Sequence, residues 1–100
     1  MPKLAQNEIA DRMRSVPGWA LEGDAIRKQF TFKDFLEAIA FVNRLAPEAE
    51  RADHHPDILI NYKRVTLTYT THDSGGLTAK DFAGAAAADR LAAGAPQKNV

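Results

Sequence analysis

The sequence predicts an α+β fold, a two-layer domain whose four-stranded antiparallel sheet carries helices on one face in the order α-β-β-α-β-β-α. Three observations predict it. Residues 65–70 alternate strictly, with Val65, Leu67 and Tyr69 set against Thr66, Thr68 and Thr70, the period of a strand with two unlike faces. Phe35, Ala38, Ile39, Val42 and Leu45 recur at helical spacing and make one core face. Short turn signals, Gly23-Asp24 and Lys63-Arg64, join strand-like runs in pairs, and hairpin neighbours are antiparallel.

Taken in order, residues 7–15 read as a short first helix. Asn7 is the expected cap, and Glu8 and Asp11 sit where the helix dipole favours anions. Ile9 and Met13 share a face, and Pro17-Gly18 ends the element. A hairpin follows over residues 19–22 and 25–32. Ile26, Phe30 and Phe32 alternate with Arg27, Gln29 and Thr31, and Lys28 is the exception in the buried register. Periodicity reads Trp19 as a core anchor.

The main helix is expected over residues 33–46. Leu36, Ala40 and Phe41 add apolar surface off its core stripe, and a partner subunit is a natural cover for them. Pro47 is expected to kink or end this helix, with a turn restarting through residues 48–52. Residues 58–62 form the third strand and residues 65–70 the fourth. Gly75-Gly76 breaks that strand, and Thr78 and Asp81 resemble a capping box with Asp where Glu is usual. The last helix, to Ala93, is alanine-rich; Gly94-Ala95-Pro96 stops it and residues 95–100 are expected to be a flexible tail. Residues 1–100 read as one domain, with the sheet's second face or an edge left for a ligand or a second copy.

Bulk composition narrows the function classes. Thirteen basic residues balance thirteen acidic ones, which argues against a nucleic-acid footprint. Cysteine is absent, excluding disulfides, zinc-thiolate sites and a cysteine nucleophile. The first seven residues lack the apolar core of a signal peptide, and no apolar run is long enough to span a membrane, so a soluble cytoplasmic protein is expected. No glycine-rich phosphate loop is present, and Ser15 and Ser74 lie in turns without a nucleophile-elbow sequence.

What remains is the histidine set. All three histidines, His54, His55 and His72, lie between Glu50 and Asp81, among the carboxylates Glu50, Asp53, Asp73 and Asp81. His54 and His55 are adjacent, so in extended backbone they point to opposite sides and suit one metal ion poorly. Imidazoles on different sides of a small flat substrate suit proton transfer near neutral pH, with a carboxylate fixing a tautomer. That chemistry serves an elimination or tautomerisation without a cofactor.

These residues also carry a resemblance. Glu50-x-x-Asp53-His54-His55-Pro56, then Asn61-x-x-x-Val65-x-Leu67-x-x-x-Thr71-His72, then Gly76-Leu77-Thr78-x-x-Asp81, resembles the pterin-4a-carbinolamine dehydratase family. Gly18-Trp19, Ile26 and Lys28-Gln29-Phe30-x-Phe32-Lys33-Asp34-Phe35 extend the likeness, which spans about residues 8–92. The resemblance implies dehydration of 4a-hydroxytetrahydropterin, a product of aromatic amino acid hydroxylases, to quinonoid dihydropterin in tetrahydrobiopterin recycling, with no metal and no cofactor. It implies His54, His55 and His72 as the catalytic acid–base set. Glu50 and Asp53 would stand at the site, and Asp81 would orient a histidine. Trp19 would lie near the pterin, and the backbone around Thr70 and Thr71 would bind the ring edge. It further implies a homo-oligomer, dimer or tetramer, with dimers joining their sheets and the middle helix, through Leu36, Ala40 and Phe41, building the tetramer. Two alternatives follow from it: a non-catalytic dimerisation cofactor of a transcription factor, as an animal member is, or a dehydratase serving another pterin pathway.

Overall fold

The computed structural model describes residues 2–93. The expected stop at Gly94-Ala95-Pro96 and the tail at residues 95–100 lie outside the described residues. The predicted order is the observed one. Helix α1 (Gln6–Met13) is followed by strands β1 (Ala20–Glu22) and β2 (Ala25–Thr31) and helix α2 (Phe35–Ala52). Strands β3 (Asp57–Asn61) and β4 (Arg64–Tyr69) and helix α3 (Ala79–Ala93) complete it. The sheet order is β1-β2-β4-β3 and every neighbouring pair is antiparallel. The strand with the strictest alternation, β4, therefore sits inside the sheet, and β3 is an edge.

Several boundaries differ from expectation, most by one or two residues, and three of the differences carry information. Helix α1 begins a residue early: Ala5 is its N-cap, and the Glu8 carboxylate accepts the Ala5 N–H at 2.9 Å. Asn7 is already inside the helix, because Glu8 supplies the reach-back that a capping side chain would otherwise share. The second hairpin turns at Tyr62-Lys63 rather than Lys63-Arg64, with Tyr62 at φ 55°. Most consequentially, α2 does not end at residue 46. It runs through Pro47 to Ala52. Pro47 lacks the N–H that would donate to the Asn43 carbonyl, but both residues are exposed, so the freed carbonyl lies where solvent can reach it. Buried Leu45 and Ala49 hold the helix to the core on either side of it.

The core face of α2 is also rotated from the expected one. Ala38, Phe41, Leu45 and Ala49 are buried, whereas Phe35 and Leu36 are exposed and Ile39 and Val42 lie half-covered. Phe41 seats against Phe30 of β2 and Phe32 just beyond it, with ring centroids 5.1 and 5.0 Å away. Two neighbouring rows of α2 satisfy helical spacing, and the aromatic pair on β2 and just beyond it selects the row containing Phe41. Phe41 is thus unavailable to the subunit contact expected of it; Leu36, 75% exposed, is available. Ile26, Val65, Leu67 and Tyr69 from the sheet, with Phe82, Ala85 and Ala88 from α3, complete the core. Lys28 keeps its buried register by bridging: its ammonium lies 2.8 Å from Asp89 Oδ1 on α3 and 4.7 Å from the Phe30 ring centre.

Candidate active site

The site is built where α2 ends. Asp53 adopts a left-handed conformation, φ 52° and ψ 42°. Its N–H donates to the Glu50 carbonyl, and the N–H of His54 donates to the Ala49 carbonyl, each at 3.1 Å. This paired closure is a Schellman motif, here with Asp in the place glycine usually takes. It reverses the chain so that His54 leaves the helix end pointing back under β4. Pro56 then holds the chain extended into β3.

Asp81 meets His54 there. The carboxylate is fully buried, and its Oδ1 lies 2.6 Å from His54 Nε2. Its Oδ2 accepts the Thr78 N–H at 2.9 Å and the Thr71 hydroxyl at 2.8 Å. With its proton committed to Asp81, Thr71 Oγ1 is the acceptor for the Thr78 hydroxyl 2.9 Å away. Thr78 Oγ1 in turn accepts the Lys80 N–H at 3.3 Å. Every hydrogen in this chain then has a direction, and all of them converge on a carboxylate that accepts only. His54 therefore donates from Nε2, and its Nδ1 is the nitrogen left with a lone pair. Of the capping box foreseen from Thr78 and Asp81, the arm from the Thr78 N–H to the Asp81 carboxylate is present, while the Thr78 hydroxyl oxygen accepts from Lys80 rather than from Asp81; the same carboxylate contacts His54.

The surrounding cleft, about 210 Å³, is lined by Asp53, His54, His55, Thr70, Thr71, His72 and Asp73. All three histidines are thus brought to one place. His55 Nε2 lies 2.7 Å from Glu50 Oε1, both side chains exposed. His72 opens a 3-10 turn, His72–Ser74, and is exposed. Thr70 donates its hydroxyl to the Asp24 carbonyl at 2.6 Å, which pins the cleft to the first hairpin. Among the described residues no group of three or more metal-ligating side chains could hold an ion.

Trp19 is the exception among the expected site residues. It is 5% exposed and lines none of the cleft. Its ring packs on Phe30 and Tyr69, at 6.0 and 5.8 Å, and its Nε1–H donates to Asp89 at 3.1 Å. It is a core anchor with a satisfied polar edge, as periodicity alone suggested. Sequence reading missed Tyr69, whose ring lies against that of His54 at 5.8 Å and 22°. Burial, then the charges of Asp81 and Glu48, push its phenol up to about 12. Its place at the cleft end of an alternating strand, one residue before Thr70, was the only available signal.

The family model for pterin 4 alpha carbinolamine dehydratase matches residues 2–91. The chain belongs to the pterin-4a-carbinolamine dehydratase family. That is a family of hydro-lyases. A Chloroflexus aurantiacus protein provisionally named pterin-4-alpha-carbinolamine dehydratase is 53% identical over 91 residues, covering 91% of this chain and 98% of its own length. A Picosynechococcus protein with the same provisional name is 49% identical over 89 residues, covering 89% of this chain and 97% of its own. Among solved structures, a transcriptional coactivator/pterin dehydratase from Brucella melitensis superposes with a TM-score of 0.86 at 36% identity, covering 90% of this chain and 98% of that one. A pterin dehydratase-like protein identified as a RuBisCO assembly factor in the alpha-carboxysome superposes at 0.63 with 27% identity, covering 74% and 86%.

Proposed function

We propose that this member of the pterin-4a-carbinolamine dehydratase family eliminates water from 4a-hydroxytetrahydropterin by proton transfer among His54, His55 and His72. The observation that carries the reading is the 2.6 Å contact of His54 with buried Asp81 inside a cleft that also holds the other two histidines. In the reaction the C4a–O bond breaks, the C4a=N5 bond forms, and N5 loses its proton. His54 suits the base: its Nδ1 lone pair is free, and the imidazolium it becomes is stabilised by the Asp81 carboxylate. The proton that lets the hydroxyl leave as water comes from His55 or His72. Glu50 orients His55, and Asp53, Thr70 and Thr71 form walls that receive the flat pterin. The substrate class ties the protein to aromatic amino acid hydroxylases, whose product it would recycle.

The same reading includes a homo-oligomer. Ile58, Leu59 and Ile60 are all exposed on the edge strand β3, and an apolar edge of this kind is suited to pairing with a second copy.

The test is dehydration of freshly generated 4a-hydroxytetrahydropterin, followed by ultraviolet absorbance. His54→Ala, His55→Ala and His72→Ala are compared with the wild type. Each lost acid or base should cost about a hundredfold or more in rate with the fold retained. A wild-type rate equal to the uncatalysed one would end the dehydratase reading.

A further inference from the structure

We infer that Tyr69 and Gly84 act as a pair that positions His54, with Tyr69 as the back wall of the imidazole and Gly84 as the space that admits it. The inference rests on the proposed role of His54 but concerns residues outside the histidine set. Asp81 holds His54 only at one ring edge, through Nε2. One hydrogen bond of 2.6 Å holds only that edge, so a ring with an open face can tilt away from Asp81 and lose the contact that fixes its tautomer. The Tyr69 ring removes this freedom by lying nearly parallel to the imidazole at 5.8 Å and 22°. Tyr69 is itself immobilised, 2% exposed and packed against Trp19 at 5.8 Å.

Helix α3 packs against the Tyr69 ring at Gly84. A Cβ on Gly84 would sit 2.5 Å from Tyr69 Cε1 and 2.7 Å from Cζ. No real side chain tolerates that approach, so any larger residue at 84 moves the tyrosine ring. Glycine inside a helix is otherwise unfavourable against alanine; here it is what lets α3 pack on an aromatic.

The hydroxyl is not the working part. Tyr69 borders, with His54, a cavity of about 120 Å³ whose wall is mostly alanine with Glu48 and Lys80 beside it, and among the described residues no hydrogen bond to the hydroxyl is found. With the phenol pushed up to about 12, Tyr69 stays protonated at any working pH and neither gives nor takes the reaction's proton. Its contribution is the ring.

This sets the outcome of each substitution. Tyr69→Phe keeps the wall and should hold kcat within about twofold. Tyr69→Leu removes most of the wall and should lower kcat roughly tenfold or more, with KM little changed, because displacement of a reacting group by an ångström is costly. Gly84→Ala should lower kcat in the same direction by displacing the ring. Adding Gly84→Ala to Tyr69→Leu should then cause no further loss, since the clash has gone. Folding is followed by circular dichroism and thermal unfolding. Nitrogen NMR of the His54 ring, at a pH where it is neutral, should show one tautomer in the wild type and Tyr69→Phe, and a mixture in Tyr69→Leu. If Tyr69→Phe falls as far as Tyr69→Leu, the hydroxyl is the active part and the inference is wrong. It is equally wrong if Tyr69→Leu keeps the wild-type kcat and tautomer. An inactive wild type would sink the dehydratase reading instead, and the tautomer measurement would still decide the positioning role.

Discussion

Asp81 is fully buried, and both of its oxygens are engaged: one with His54, the other with the Thr78 N–H and the Thr71 hydroxyl. One carboxylate therefore starts α3 and selects the His54 tautomer. Asp81→Asn keeps the shape but replaces one acceptor with a donor, so at least one of the three donors facing it loses its partner. Stability should fall by about 1–3 kcal/mol, measured by thermal unfolding. Dehydration should fall by roughly a hundredfold or more, because the imidazole no longer presents a lone pair at Nδ1. A variant that lost stability but kept full activity would separate the two roles and remove Asp81 from the proposed mechanism. At this scale, Asp81 was legible in the sequence as a helix cap and, through the family resemblance, as a histidine's partner. Which histidine it meets was not, since His54 lies 27 residues away and only the chain reversal at Asp53 brings them together.

At the scale of the element, α2 carries a proline in its thirteenth position and still continues for another turn and a half. The extra length matters, because the Schellman closure at Ala49, Glu50 and Asp53 is what aims His54. Pro47 is exposed, and its ring and missing N–H are a cost the helix bears with help from tertiary packing. Pro47→Ala should therefore stabilise the protein, by about 1–3 kcal/mol. The checking measurement is urea unfolding, where the midpoint should rise with an unchanged slope. The sequence expectation of an end near residue 46 came from the proline rule, which is a local rule. It was overridden because Leu45 and Ala49, either side of the proline, are both buried in the same core.

For the whole molecule, the helices do not reach the full width of the sheet. By register Ile58 and Ile60 of β3 lie opposite Leu67 and Val65, on the core side, yet they remain 41% and 36% exposed. Leu59, opposite Thr66 on the other face, is 59% exposed. An edge strand with apolar side chains on both faces suits the proposed pairing with a second copy. Wild-type protein is expected to sediment as a dimer or larger. Ile60→Lys should shift it toward the monomer mass with its circular dichroism unchanged, and a monomeric wild type would contradict the sheet-joining assembly.

The sequence by itself determined the class and order of the fold, because strand alternation and helical spacing are local signals that β4 and α2 carry strongly. It also placed three histidines among carboxylates in one stretch, the set on which the proposed proton transfer rests. Tertiary structure decided the rest. It chose Phe41 over Phe35 as the inward residue of α2, because both rows fit the helical period and only the aromatic residues at 30 and 32 distinguish them. It placed Trp19 in the core rather than at the cleft, where its N–H found Asp89. It also set Tyr69 behind His54, a contact that depends on the absence of a side chain at Gly84 on a different element. Each of these is a contact between elements distant along the chain, and periodicity within one element carries no information about it.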